Sequence, residues 1–93
     1  MIKSFRDKRA ELIWSQIPTP RLSPEVQRTV LRKLFMLHGA KEMADLKVPP
    51  GNRLEKLRGD RAGQYSMRVN RQWRICFEWD GTDARNVEIA DYH

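Results

Sequence analysis

Gln64-Tyr65-Ser66-Met67-Arg68-Val69 and Trp73-Arg74-Ile75-Cys76-Phe77-Glu78-Trp79 decide the fold, because apolar and polar residues alternate through both stretches. A period of two belongs to β-strands with one face turned to a core. Val87 and Ile89, alternating with Asn86, Glu88 and Ala90, repeat the pattern near the C-terminus. Asn70-Arg71 and Asp80-Gly81-Thr82-Asp83 have turn chemistry, and Gly81 suits a positive backbone angle. The expectation is three antiparallel strands joined by short turns.

Upstream the period is helical. Asp7 to Ser15 carries Ala10, Ile13 and Trp14 on one stripe, after a possible short strand at Ile2 to Phe5. Pro18, Pro20 and Pro24 interrupt it, and Ser23-Pro24-Glu25 supplies an N-cap, a first-turn proline and a first-turn acid for a second helix. Val26, Val30, Leu34 and Leu37, with Leu31 and Phe35 alongside, repeat at helical spacing to a stop near Gly39. Ala40 to Leu46 adds a helical turn before Pro49-Pro50-Gly51-Asn52 bends the chain. The stripe on the second helix reads as core rather than as a ligand site at Met36 or His38.

Helices must cover the apolar face of the sheet, so parity assigns Arg68, Arg74, Glu88 and Tyr92 to the other, uncovered face. Arg53 to Arg61 lies on the approach to the first strand and can rim that face. The fold class expected is therefore α+β, an N-terminal strand and two helices packed on one face of a small antiparallel sheet.

The chain has 93 residues, which fits one domain over 1–93 with a small core and little room for an internal pocket. Function belongs on an open face. Lys and Arg number 18 against 12 Asp and Glu, a net charge of +6, which favours a polyanionic partner. Residues 53 to 74 hold seven basic groups (Arg53, Lys56, Arg58, Arg61, Arg68, Arg71, Arg74) and two acids, whereas 75 to 93 hold one Arg and five acids. A solvated surface is the plain alternative for such a run. One cysteine excludes an internal disulfide, and two histidines with one cysteine give no zinc spacing, so no cofactor is expected. The N-terminus lacks the apolar stretch of a signal peptide, and no window approaches the roughly 20 apolar residues of a membrane span. A cytoplasmic protein with no membrane contact is expected.

Cutting RNA without a metal needs a base for the 2′-hydroxyl, an acid for the leaving oxygen and positive charge at the phosphorane. Arginine suits the third task, since its planar fork meets two phosphate oxygens and stays charged; Arg58, Arg61 and Arg74 are the candidates. Asp91-Tyr92-His93 offers a carboxylate, a phenol and an imidazole in consecutive residues. His93 is the only one of the three whose residue type has an unperturbed pKa near neutrality, Tyr92 can stack on a base or relay a proton, and Asp91 can orient His93 or accept a proton itself. By itself, such a tail is more often a frayed end.

Met1-Ile2-Lys3-Ser4-Phe5, Gly59-Asp60-Arg61, Trp73-Arg74-Ile75-Cys76-Phe77 and Asp91-Tyr92-His93, with Arg-Val-Asn-x-Gln-Trp-Arg over 68 to 74, resemble the HigB (host inhibition of growth) toxins of the RelE/ParE superfamily. The likeness spans the whole chain. It implies a RelE-like fold and a toxin of a type II toxin–antitoxin system. The implied activity is that of a ribosome-dependent endoribonuclease that cleaves messenger RNA in the decoding site through a 2′,3′-cyclic phosphate. Arg74, Asp91, Tyr92 and His93 inherit active-site roles from the resemblance, and Arg58 aligns with a basic position before Gly-Asp-Arg. Some members carry a histidine within the Leu-x-x-Leu segment where this chain has Glu55, which either replaces it as proton acceptor or only offsets nearby arginines. Arg53, Lys56, Arg58, Arg61 and Arg68 are the expected RNA contacts.

The resemblance also implies a cognate HigA-like helix-turn-helix antitoxin, with operator DNA met only through the complex of the pair. Alternative functions are a non-hydrolytic gyrase poison of the same superfamily and a plain RNA-binding module. A basic face of this kind predicts RNA binding that weakens steeply with salt, since neutralised phosphates release counterions. A binding titration repeated across salt concentrations checks this, and a flat response counts against a phosphate-reading face.

Overall fold

The computed structural model describes residues 1–92. Helix α1 spans Lys8–Trp14 and α2 spans Pro24–Gly39; the strands are β1 Glu55–Lys56, β2 Gln64–Arg68, β3 Trp73–Trp79 and β4 Ala84–Asp91. The sheet is antiparallel throughout, in the order β1-β2-β3-β4. Short 3-10 turns at Met43–Lys47 and Pro50–Asn52 lead from α2 to β1, and a third at Gly59–Arg61 leads from β1 to β2.

Both helices start where their cap chemistry requires. Ser23 Oγ accepts from Val26 N (3.1 Å), and Pro24 fills the first helical turn, where its missing N–H costs nothing. Between the helices, Gln27 ties down the proline-rich connection by accepting from Thr19 N (3.2 Å) and donating to the carbonyls of Thr19 (2.9 Å) and Leu22 (2.7 Å). The apolar stripe buries Val30, Leu34 and Leu37 completely against Met67, Ile75, Phe77 and Val87 of the sheet. Phe35 departs from the expected core: it is 55% exposed and packs only its ring against Trp14, 5.0 Å between centroids. It sits one residue past Leu34, far enough round the helix to leave the sheet.

Asn70 Oδ1 accepts from the backbone N–H of Gln72 (2.9 Å) and Trp73 (2.8 Å), which closes the β2–β3 turn. Asp80 does the same for Thr82 (3.0 Å) and Asp83 (2.8 Å) in the β3–β4 turn, and Gly81 adopts φ 97° as its position demanded. Between Cys76 and Glu78 the β3–β4 register shifts, β4 using one extra residue. Asn86, at φ 52°, lies in this bulge.

The bulge explains why residues 2–5 are not the regular strand expected. They run parallel to β4 through two isolated bridges, Ile2 to Ala84 and Phe5 to Val87. Lys3 N donates to Ala84 O (2.8 Å) and Arg6 N to Val87 O (3.0 Å), but the N–H of Asn86 goes to the Ser4 hydroxyl (2.9 Å) instead of the backbone. The ladder is interrupted there, yet the edge of β4 remains covered.

Asp7 ends this edge and begins α1 with one carboxylate. Its Oδ1 caps Arg9 N (2.9 Å) while Oδ2 accepts from Ile89 N of β4 (3.0 Å). Arg9 in turn donates to Ile89 O (3.2 Å) and lies over the Trp73 ring. Asp7→Ala removes the cap and leaves a half-buried strand N–H without its acceptor. We predict a loss of about 2 kcal/mol in urea unfolding. Asp7→Asn, which keeps one acceptor, should lose less; equal stability of Asp7→Ala and wild type would refute this role.

Candidate active site

Parity holds on the helix-free side of the sheet, where Ser66 faces Glu55 and Cys76, Arg68 faces Arg74, and Cys76 faces Glu88. The expectation of a bare face needs correction. Ser66 and Cys76 are fully buried and Arg74 is 8% exposed, because the segment around Arg53 and the side chain of Tyr92 close over them from two sides.

Arg74 occupies the centre of this face. Its Nε donates to Ser66 Oγ (2.7 Å), and Nη2 donates to Arg53 O (2.6 Å) with a longer contact to Ser66 O (3.4 Å). Glu55 Oε1 lies 3.9 Å from Nη2, and the Tyr92 ring centroid is 5.8 Å from Cζ. The Nη1 amino group makes no hydrogen bond among the described residues. A guanidinium held through one edge thus keeps the N–H pair at its other end for an incoming acceptor.

Two groups capable of proton chemistry flank it. Glu55, on the short edge strand, is 56% exposed, with the guanidinium as its charged neighbour. Tyr92 is 41% exposed; its backbone N–H donates to Gln72 O (2.6 Å), and its hydroxyl lies 3.9 Å from Cys76 Sγ. Burial and the neighbouring Cys76 push the Tyr92 phenol above its ordinary value, so it enters the site as a neutral donor.

Of the other expected residues, Arg61 is engaged in the fold. It donates to Gln64 Oε1 (3.0 Å) and to Glu88 Oε1 (3.0 Å), and Arg6 pairs with Glu88 Oε2 from the far side (3.4 Å). Burial is the largest single influence and opposes its charge, but the hydrogen bond it donates to Glu88 and the nearby acidic groups Cys76, Glu88 and Tyr92 together outweigh burial and push it above its ordinary value. Arg53 and Arg58 are exposed, and Arg68 lies half-buried opposite Arg74. Lys56 pairs with Tyr65, a residue of the helix-bearing face, so its register places it away from Arg74. Asp91 likewise pairs with Trp73 and accepts from Gln72 Nε2 (3.1 Å). Asp91 and Tyr92 therefore leave the strand on opposite faces. His93 lies outside the described residues. The structure brings Arg74, Glu55 and Tyr92 together and adds Ser66 and the Arg53 carbonyl, which the sequence reading did not single out. Strand parity could have pointed to Ser66. Among the described residues, no three His, Cys, Asp or Glu side chains converge on a metal position.

Two helices on one face of a small antiparallel sheet, with arginines gathered on the other, make this α+β fold RelE-like. Residues 3–93 match the family described as RelE-like toxins of the type II toxin–antitoxin system HigB, and the chain belongs to that family of HigB-like toxins. It is 40% identical over 90 residues to toxin HigB-1 of Vibrio cholerae, covering 96% of this chain and 95% of that one. It is 31% identical over 93 residues to the endoribonuclease HigB of Proteus vulgaris, covering both chains completely. Membership in a type II system implies an antitoxin partner. No helix among the described residues is long and apolar enough to cross a membrane.

Cys76 on the floor of the site gives a pH-dependent check. Burial pushes its thiol above the ordinary value, against the opposing pull of the Tyr92 hydroxyl and Arg61. The folded thiol stays protonated where the unfolded one ionises; this contribution to stability is complete below the unfolded pKa and lost as pH rises through the folded one. Alkylation of the native protein by iodoacetamide at pH 8 should run at least about 100-fold slower than in urea, since only exposed thiolate reacts. Equal rates would mean that Tyr92 does not lie over Cys76.

Proposed function

We propose that this toxin is a metal-independent endoribonuclease that cleaves messenger RNA held in the ribosomal decoding site and so stops translation. The observation that carries this reading is the Arg74 guanidinium, fixed through Nε and Nη2 with Nη1 unspent, between Glu55 and Tyr92. The HigB of Proteus vulgaris, to which the chain is similar along its full length, is named an endoribonuclease.

In the proposed reaction a base takes the 2′-hydroxyl proton, and the 2′-oxygen attacks the adjacent phosphorus. The bond to the 5′-oxygen breaks, and an acid protonates the leaving oxygen. The products are a 2′,3′-cyclic phosphate and a free 5′-hydroxyl. Arg74 Nη1 meets the charge that builds on the phosphorane oxygens, where a preorganised donor has its largest effect. Glu55 stands on one side of Arg74 and Tyr92 on the other, and the two proton transfers are assigned to Glu55 and to His93, the residue next to Tyr92 in the sequence. Tyr92 stacks on the base next to the scissile bond. Asp91 acts from the edge by orienting the C-terminal residue, His93.

Arg53, Arg58 and Arg68 hold the RNA backbone along the rim. Lys56 and Arg61 contribute at longer range, Arg61 chiefly by ordering Glu88 and Gln64. The partner that neutralises the toxin is a HigA-like helix-turn-helix antitoxin, operator DNA is met only through that complex, and the site of action is the cytoplasm, where ribosomes are.

Purified protein incubated with programmed ribosomes should cut the message, as mapped by primer extension, and should leave the same RNA intact without ribosomes. Arg74→Ala should slow single-turnover cleavage by about 100-fold or more, and Glu55→Gln or His93→Ala should flatten one limb of the pH–rate profile. Intact message on ribosomes, at toxin concentrations that arrest growth, would overturn the reading.

A further inference from the structure

A buried polar chain connects α2 to the back of Arg74. Asn52 is fully buried at the end of its 3-10 turn, an unusual place for an amide unless every polar atom is paired. Its Oδ1 accepts from Lys33 Nζ of α2, itself nearly buried, and its Nδ2 donates to Leu46 O (3.2 Å) and Val48 O (3.4 Å). The backbone N–H groups of Asn52 and Arg53 close on Pro49 O and Pro50 O, each at 3.0 Å. Arg53 is left at φ 43°, ψ 55°, a left-handed conformation that an arginine rarely adopts. In that conformation its carbonyl is the 2.6 Å acceptor of Arg74 Nη2.

The geometry points to Lys33 and Asn52 as positioning residues that set the pose of Arg74, acting through the Arg53 carbonyl and touching no substrate. The inference rests on the ribonuclease reading above and extends it to residues on the opposite side of the loop. The pair is not what packing alone favours, since apolar residues of similar volume fill such space at least as well. Burial, and after it the charges of Arg32 and Arg68, press the Lys33 ammonium below its ordinary value, so this donor is kept against opposition. Ser66 fixes Nε through its hydroxyl and holds Nη2 only by the long 3.4 Å contact to its carbonyl; the Arg53 carbonyl, at 2.6 Å, supplies the firm second point. A loop that relaxes by an ångström moves that second point, and misplacement on this scale slows chemistry without weakening substrate binding.

The test is a double-mutant cycle on ribosome-bound message. In the wild-type background, Asn52→Ala and Lys33→Met should each lower kcat by about 10-fold or more, with KM for programmed ribosomes changed less than about twofold. In the Arg74→Ala background the same substitutions should cost nothing further, because their effect runs through a side chain no longer present. Losses that repeat in both backgrounds would show a general structural role and overturn the inference, as would an unchanged kcat in the first.

Lys33→Met leaves the Asn52 contacts to Leu46 and Val48 in place, so it carries the cycle should Asn52→Ala fail to fold. A second readout needs no substrate: the Arg74 Nε–H resonance in 15N NMR should shift and exchange faster with solvent in Lys33→Met. An unchanged signal overturns the inference. Absence of cleavage by the wild-type toxin would instead overturn the ribonuclease reading, and the Arg74 resonance would still report whether the pair holds the guanidinium.

Discussion

A guanidinium laid across the middle of a four-stranded sheet must find acceptors, because burying the charge without them costs far more than a domain of this size can spare. Ser66 supplies one from the neighbouring strand, at the register position that shares its face. Nη2 reaches Ser66 O only at 3.4 Å, and its close acceptor, at 2.6 Å, comes from outside the sheet, from the loop between Leu46 and Arg53. That demand accounts for a buried amide at Asn52, a left-handed arginine at position 53 and a lysine of α2 turned inward. On the far flank, the Tyr92 ring completes the enclosure without taking a hydrogen bond from Arg74. The result is a cation whose position is determined by the fold and whose Nη1 amino group makes no hydrogen bond among the described residues.

The remaining charge on this face is organised for rigidity. Glu88 stands between Arg61 and Arg6 with little exposure, so one carboxylate ties the 3-10 turn before β2 and the N-terminal segment to β4. The exposed cations Arg53, whose carbonyl holds Arg74, and Arg58, before the 3-10 turn that leads to β2, are left to meet an external anion.

Much of this was legible in the residues before any coordinates. Alternation in Gln64 to Trp79 specified β2 and β3 and put Arg68 and Arg74 on one face; Ser23-Pro24 located the start of α2; Gly81 marked a turn. Parity also separates Asp91 from Tyr92, and treating the last three residues as one cluster overlooked it. Two features carry no sequence signal of this kind. β1 is two residues long, too short to show a period, and it exists because β2 offers an edge. The second acceptor for Arg74 is a backbone carbonyl, which every residue possesses, so no residue type announces it. The expected bare face failed for the same reason: the covering loop has no periodicity, and its course follows from buried hydrogen bonds.

The extra residue in β4 has a consequence for the architecture as a whole. Ala84 packs inward before the bulge and Arg85 outward; after it, Val87 packs inward, Glu88 outward, and the alternation runs on to Tyr92. Asn86 therefore acts as a phase joint: with it stretched into regular pleat, Val87 would meet solvent and Glu88 the core, and the phenol would emerge among the helices. Excising it would leave both halves of the strand in step. Position 86 is where the length of this strand can vary by one without turning the molecule inside out, and the Ser4 hydroxyl is the fitting that receives the odd amide.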